Sequence, residues 1–258
     1  MRRVVFNQKG GVGKSSITCN LAAISAASGK RTLVVDLDRQ GNSTHYLLGL
    51  HPDELDTSIA DYFKSCLRMG RRRVEPLEYA YQSPFENLCV IPASSELDDL
   101  QTRLESRHKI YKLRDLLDEL ADEFDEIYID TPPVLNFYTL SALIAADCSL
   151  IPFDCDAFSR DALYNILEAM EDIREDHNRD LVLEGIVVNM FQSNASLPAR
   201  IVDELKAEGQ PLLPVYLSYS VKMKESHESC RPLIYLAPSH KLTQQFIELH
   251  DHLNRRKR

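Results

Sequence analysis

The chain contains no apolar run near the about 18 residues that a membrane-spanning helix needs, and its N-terminus enters the strand-like Val4-Val5-Phe6 without a signal-peptide h-region. A cytoplasmic location is therefore expected. Tryptophan is absent, and no repeat or low-complexity tract occurs. The six cysteines (Cys19, Cys66, Cys89, Cys148, Cys155 and Cys230) are scattered and form no CxxC pair. Neither a disulfide framework nor a zinc site is indicated, and most of them read as small buried hydrophobes. A formal net charge of −9 excludes a surface that is basic all round, although it leaves room for a local basic patch.

What is present fits one large domain spanning 1–258: 44% of the 258 residues are hydrophobic, enough for a substantial core. Short apolar, β-branched runs alternate with helical patterns. Val4-Val5-Phe6, Thr32-Leu33-Val34-Val35, Leu88-Cys89-Val90-Ile91, Ile127-Tyr128-Ile129, Leu150-Ile151 and Gly185-Ile186-Val187-Val188 read as strands. They lack in-out alternation, which predicts an α/β fold: a mostly parallel twisted sheet covered by helices on both faces, with ligands at the carboxyl ends of its strands. The stretch from Arg68 to Asn87, with Arg71-Arg72-Arg73, reads as an irregular surface excursion. From Lys241 to Arg258 the spacing predicts a helix with Leu242, Phe246, Leu249 and Leu253 on one stripe and Arg255-Arg256-Lys257-Arg258 at its end.

The first strand is followed by Gln8-Lys9-Gly10-Gly11-Val12-Gly13-Lys14-Ser15-Ser16 and then an alanine-rich helical stretch. A strand, a glycine loop and a helix N-terminus in that order make a phosphate cradle. The loop from Lys9 to Ser16 turns backbone N–H groups inward, and the helix adds its partial positive charge. Lys14 would neutralise the β and γ phosphates of ATP, and Ser15 offers a hydroxyl to Mg²⁺.

The usual GxxxxGK[ST] pattern would put glycine at position 8, where this chain has Gln8, and Lys9 adds a second lysine at the start of the loop. KGGVGKS resembles the deviant Walker A motif of the ParA/MinD family of P-loop ATPases. The resemblance implies a nucleotide-sandwich homodimer in which Lys9 reaches the phosphates of the facing subunit. Val35-Asp36-Leu37-Asp38-Arg39-Gln40-Gly41-Asn42 is similar to the family's DxDPQGN segment, with Arg39 in place of proline. By position, Asp38 would orient the attacking water and Asp36 would support the magnesium ion; the bland alternative is a polar turn capping the next helix. Glu126-Ile127-Tyr128-Ile129-Asp130 is the Walker B arrangement, with Asp130 as a magnesium ligand. Asn189, ending the Gly185–Val188 run, is a candidate adenine contact or simply a chain-turning asparagine. The resemblance covers nearly the whole chain and is strongest to short, Soj-like ParA proteins.

That resemblance further implies slow ATP hydrolysis stimulated by a ParB-like or other cargo adaptor, and nonspecific DNA binding in the ATP state on the nucleoid. The candidate DNA contacts are Lys222, Lys224, Arg200 and Arg231, although Asn194 stands where relatives carry an arginine. Residues 231–258 carry a net charge of +4 within an acidic chain, which favours a polyanion partner. A MinD-like membrane positioner is the alternative, resting on the apolar stripe of the C-terminal helix. With the phosphate loop starting by residue 9, no N-terminal helix-turn-helix extension is expected. An iron-sulfur role like that of the nitrogenase iron protein is disfavoured, because no cysteine follows Asp130 before Cys148.

Overall fold

A computed structural model describes residues 1–68, 74–156 and 159–255. The Arg71–Arg73 cluster and the terminal Arg256-Lys257-Arg258 lie outside the described residues. In chain order the elements are β1 (Arg2–Val5), α1 (Lys14–Ala27), β2 (Thr32–Asp36), α2 (Asn42–Leu48), α3 (Ile59–Leu67), β3 (Tyr81–Gln82), β4 (Leu88–Ile91), α4 (Leu97–Ser106) and α5 (Lys112–Glu119). They continue with β5 (Glu126–Asp130), α6 (Phe137–Ala145), β6 (Cys148–Asp154), α7 (Ser159–Asp176), β7 (Val182–Asn189), α8 (Ser196–Ala207), α9 (Val221–Glu228), α10 (Leu233–Leu236) and α11 (Lys241–Arg255).

Among the described residues the strands form one sheet in the order β3-β4-β2-β5-β1-β6-β7. Every neighbouring pair is parallel except β3 with β4. Alternate residues of one strand enter opposite cores. Val4, Leu33 and Val35 face the layer holding α3 to α7, whereas Val5 and Val34 face the layer holding α1 and α11. Both faces are thus buried, which explains why the strands read as continuous apolar runs instead of alternating ones.

Two details depart from the sequence reading, and a third decides between alternatives it left open. Strand β1 begins at Arg2, because Arg3 pairs in register with Tyr128 and its guanidinium is buried against Glu184, with Nε 2.5 Å and Nη2 2.9 Å from that carboxylate. Hydrophobicity alone could not place an arginine inside a sheet. The stretch read as irregular holds the antiparallel edge strand β3, two residues long and so below any periodicity signal. Helix α11 turns Leu242, Phe246, Leu249 and Leu253 inward, fully or nearly fully buried, in the layer that contains α1. The stripe that the sequence leaves open to a membrane is therefore consumed by packing. No helix among the described residues is long and apolar enough to cross a membrane.

Candidate nucleotide-binding and active site

Three adjacent strands, β2, β5 and β1, end side by side, and the chemistry of the chain collects at their carboxyl ends. Asp36 and Asp130 are register partners there, and Val5, the last residue of β1, stands beside Asp130. The loop after β1 turns into α1 through Gly13, whose φ of 90° is left-handed and suits glycine. No side chain caps α1, so its first N–H groups stay available to an anion. The Asn189 amide at the end of β7 donates to the Val12 carbonyl at 2.8 Å and braces the loop from behind. A Cβ on Gly13 would lie 2.3 Å from the same amide nitrogen.

A cavity of about 510 Å³ opens over this loop, and Lys14, Ser15, Ser16, Asp38, Gln40, Asn42, His45, Tyr46, Pro133 and His227 line it together with Gly10, Gly11 and Gly13. The Lys14 ammonium is buried beneath it and donates to the Lys9 carbonyl at 3.1 Å. Burial pulls the Lys14 pKa below its ordinary value, and the charges of Asp130 and Asp38 hold it up in part. Asp38 is raised in turn, chiefly by burial, while the Gln40 N–H, Lys14 and Arg39 work to keep it ionised. Arg39, standing where relatives carry proline, forms an ion pair with Asp98 at the start of α4.

Asp130 is fully buried and accepts from the Ser43 hydroxyl at 2.7 Å, and the nearby Ser15 hydroxyl also favours its ionised form. Its pKa is pushed up by burial and by the nearby Asp38 carboxylate. A buried carboxylate beside a serine hydroxyl is an all-oxygen donor set that a hard divalent cation fits, and the cation would relieve the cost of ionising Asp130. Ser15 and Asp130 would hold magnesium, which would supply positive charge to the phosphates.

Asp36 has other work. One of its oxygens accepts from both the N–H and the hydroxyl of Thr44, each at 2.8 Å, and the other accepts the Asp38 N–H at 3.1 Å. It therefore fixes α2 and the backbone of Asp38. Burial, then repulsion from Asp130, raises its pKa.

The structure thus gathers Gly10, Gly11, Val12, Gly13, Lys14, Ser15, Ser16, Asp36, Asp38, Asp130 and Asn189 around one site. Lys9 stands apart: it is not on the wall of its own cavity, and its ammonium pairs with Asp154 at 2.7 Å and Asp156 at 3.0 Å. The candidate DNA-binding residues lie elsewhere, on three segments. Lys222 and Lys224 are on α9, Arg231 in the turn after it, and Arg200 on α8 with its side chain 71% exposed. Lys222 pairs with Glu225 and Arg200 with Glu204, whereas Lys224 and Arg231 carry no ion pair among the described residues. Sequence reasoning missed Thr44, Ser43, Tyr46 and His227. The first two follow directly on the Asp38-to-Asn42 segment, but nothing local signals His227.

A family profile described as an AAA domain matches residues 3–183. The chromosome partitioning protein ParA of Myxococcus xanthus is 33% identical over 98% of this chain and 87% of its own length. The sporulation initiation inhibitor protein Soj of Bacillus subtilis is 28% identical over 95% of this chain and 94% of its own. Among solved structures, cobyrinic acid a,c-diamide synthase of Mycobacterium smegmatis with bound ADP and magnesium superposes with a TM-score of 0.84 at 26% identity, covering 98% of this chain and 94% of that one. The chain belongs to the ParA/MinD family of P-loop ATPases, beside the Soj-like partition proteins, and hydrolyses ATP with magnesium as its cofactor.

Proposed function

We propose that this ATPase is a positioning switch: it dimerises with ATP, binds duplex DNA without sequence preference in that state, and partitions or positions DNA or a protein cargo until a ParB-like or other adaptor stimulates hydrolysis. The observation that carries this reading is the placement of Lys9. It opens the phosphate loop yet lies off the wall of its own cavity, held about one-third exposed by Asp154 and Asp156. A lysine so placed is poised to serve a facing subunit. ATP would then favour the dimer, and hydrolysis would release it.

Within one subunit Lys14 offsets charge on the transferred phosphoryl group, and Asp38, held by the Gln40 N–H, orients the attacking water. Lys222, Lys224, Arg200 and Arg231 are the residues assigned to phosphate contacts on DNA, where binding must weaken with salt. Binding of the protein to unrelated duplex DNA with ATP, with ADP and without nucleotide, at two salt concentrations, tests the reading. ATP-dependent binding that salt and Lys222→Glu both weaken is expected, and binding in no state would overturn it.

A further inference from the structure

Ser16 lies in the first turn of α1, two residues past Lys14, and its hydroxyl is 3.0 Å from Nε2 of His227, 211 residues away. His227 belongs to α9, the helix that also carries Lys222 and Lys224. Its ring meets Tyr46 edge-on, with centroids 4.7 Å apart, and both rings line the same cavity as Lys14, Ser15 and Asp38. Tyr46 is itself fixed, since its hydroxyl bonds to Ser226 and receives the Asn20 amide. Ser226 in turn donates to the Arg231 carbonyl and is fully buried. The imidazole therefore sits on a braced strut from α2 through α9, aimed at the phosphate loop.

Ser16 accounts for only one ring nitrogen, and among the described residues no carboxylate pairs with the ring. Partial burial alone displaces its pKa, downward. An imidazole without a carboxylate, one serine removed from a cradle built for polyphosphate, faces an anion as its natural partner.

We propose that His227 is a nucleotide-binding residue: with a nucleoside diphosphate or triphosphate in the loop, its Nε2 exchanges the Ser16 hydroxyl for the phosphate oxygen nearest Ser16, donates to it and draws α9 onto the bound nucleotide. The contact would fall on the phosphates that ADP and ATP share, because Lys14 and Asp38 are the groups assigned to the transferred phosphoryl group and His227 bonds Ser16 instead. Its consequence for DNA rests on the positioning-switch reading, in which Lys222 and Lys224 ride on the same helix.

Equilibrium titration with fluorescent analogues of ADP and of a nonhydrolysable ATP tests the contact in three variants. His227→Phe keeps a ring against Tyr46 but has no donor, His227→Ala removes the ring, and His227→Gln restores a donor. The Phe and Ala variants should bind both nucleotides about tenfold more weakly, as expected for loss of a hydrogen bond to a charged group. The Gln variant should recover to within about threefold of the parent. Unchanged affinity in His227→Phe, a loss confined to the triphosphate, or a Gln variant as weak as Phe would each overturn the proposal. DNA binding is scored separately at saturating nucleotide. A parent protein that holds no DNA would sink the switch reading and leave the affinities as the test of His227.

Discussion

Lys9 and Asp154 form an ion pair across the top of the sheet, with Nζ 2.7 Å from the carboxylate, joining the start of the phosphate loop to the end of β6. Partial burial pulls the Lys9 pKa down, but its bonds to Asp154 and Asp156 outweigh that and raise it, so the ammonium stays charged at any physiological pH. Lys9→Ala should bind nucleotide normally yet remain monomeric with ATP in sedimentation velocity. Because the pair is partly exposed, the change should cost under about 1 kcal/mol of stability. An ATP-dependent dimer surviving in Lys9→Ala would refute the placement of this lysine in trans.

Lys14 and Asp38 should separate binding from turnover. Lys14→Ala removes the cation beneath the cavity and is expected to abolish ATP binding in calorimetry. Asp38→Ala leaves the loop intact, so it should bind ATP, stop hydrolysing and accumulate as dimer. Undiminished turnover in Asp38→Ala would remove it from the catalytic assignment.

The pH profile of turnover should report Asp38 and its neighbour Arg39. The working form is the carboxylate, and burial raises its pKa, so activity should fall as pH drops through a value above the ordinary carboxylate range. Arg39 is one of the cations that resist this rise. Arg39→Ala should therefore move the acidic limb of the profile to higher pH while changing the melting temperature little, since Arg39 and Asp98 are both more than half exposed. An acidic limb that does not move would mean that Arg39 has no electrostatic hold on Asp38.

A buried carboxylate pair makes the nucleotide-free protein sensitive to pH in a definite direction. Asp130 and Asp36 have folded-state pKa values raised above their unfolded values, so the folded state binds more protons than the unfolded chain. Their contribution to stability is complete below about pH 3.9 and is lost as pH rises through the raised values. Urea unfolding of the nucleotide-free protein at pH 5 and pH 7.5 should show this loss, at up to about 1.4 kcal/mol per pH unit for each titrating group. Asp130→Asn should flatten the trend relative to the parent, because the other titrating groups are common to both. An equal slope in the two proteins would show that Asp130 is ionised without a cation.

How much of this was legible in the sequence follows from chain distance. Lys14, Ser15 and the glycines are contiguous, so the loop, its strand and its helix could be read together. Asp36, Asp38 and Asp130 end apolar runs, and the fold places two of those runs in register. What stayed hidden joins residues far apart: Lys9 with Asp154 and Asp156, Asn189 with the Val12 carbonyl, and Ser16 with His227. Asn189, by sequence a candidate adenine contact or a turn residue, also braces the phosphate loop through its amide, and no local pattern encodes that contact. The buried Arg3 contradicts its own hydropathy and is explained by Glu184, 181 positions away, with Glu126 3.9 Å from its guanidinium and the Tyr128 ring beneath it.

The contact between Gly13 and Asn189 gives a prediction that the motif alone could not. Gly13→Ala would place a Cβ against the Asn189 amide and force alanine into a left-handed φ of 90°, so both nucleotide affinity and stability should fall. Strain of this kind costs about 1–3 kcal/mol. Asn189→Ala opens the space but leaves the Val12 carbonyl without its donor, a penalty of about 1–3 kcal/mol of its own. The double variant should therefore recover less than half of the Gly13→Ala loss in thermal melts. Full recovery would show that crowding by Asn189, and not the backbone conformation, requires the glycine.

Helix α11 decides between packing and membrane contact. Phe246 is buried at 1% exposure, and its stripe lies in the same core layer as α1. Truncating a buried phenylalanine costs about 3–5 kcal/mol, and for a chain of this length each kcal/mol shifts the melting temperature by roughly 2–4 °C. Phe246→Ala should therefore melt about 6–20 °C below the parent. If the stripe serves the core, the parent protein with ATP and magnesium should not cosediment with vesicles rich in anionic lipid. A Phe246→Ala protein that keeps the parent melting temperature, or a parent that cosediments with vesicles through α11, would mean that the helix leaves the core and lies on a lipid surface.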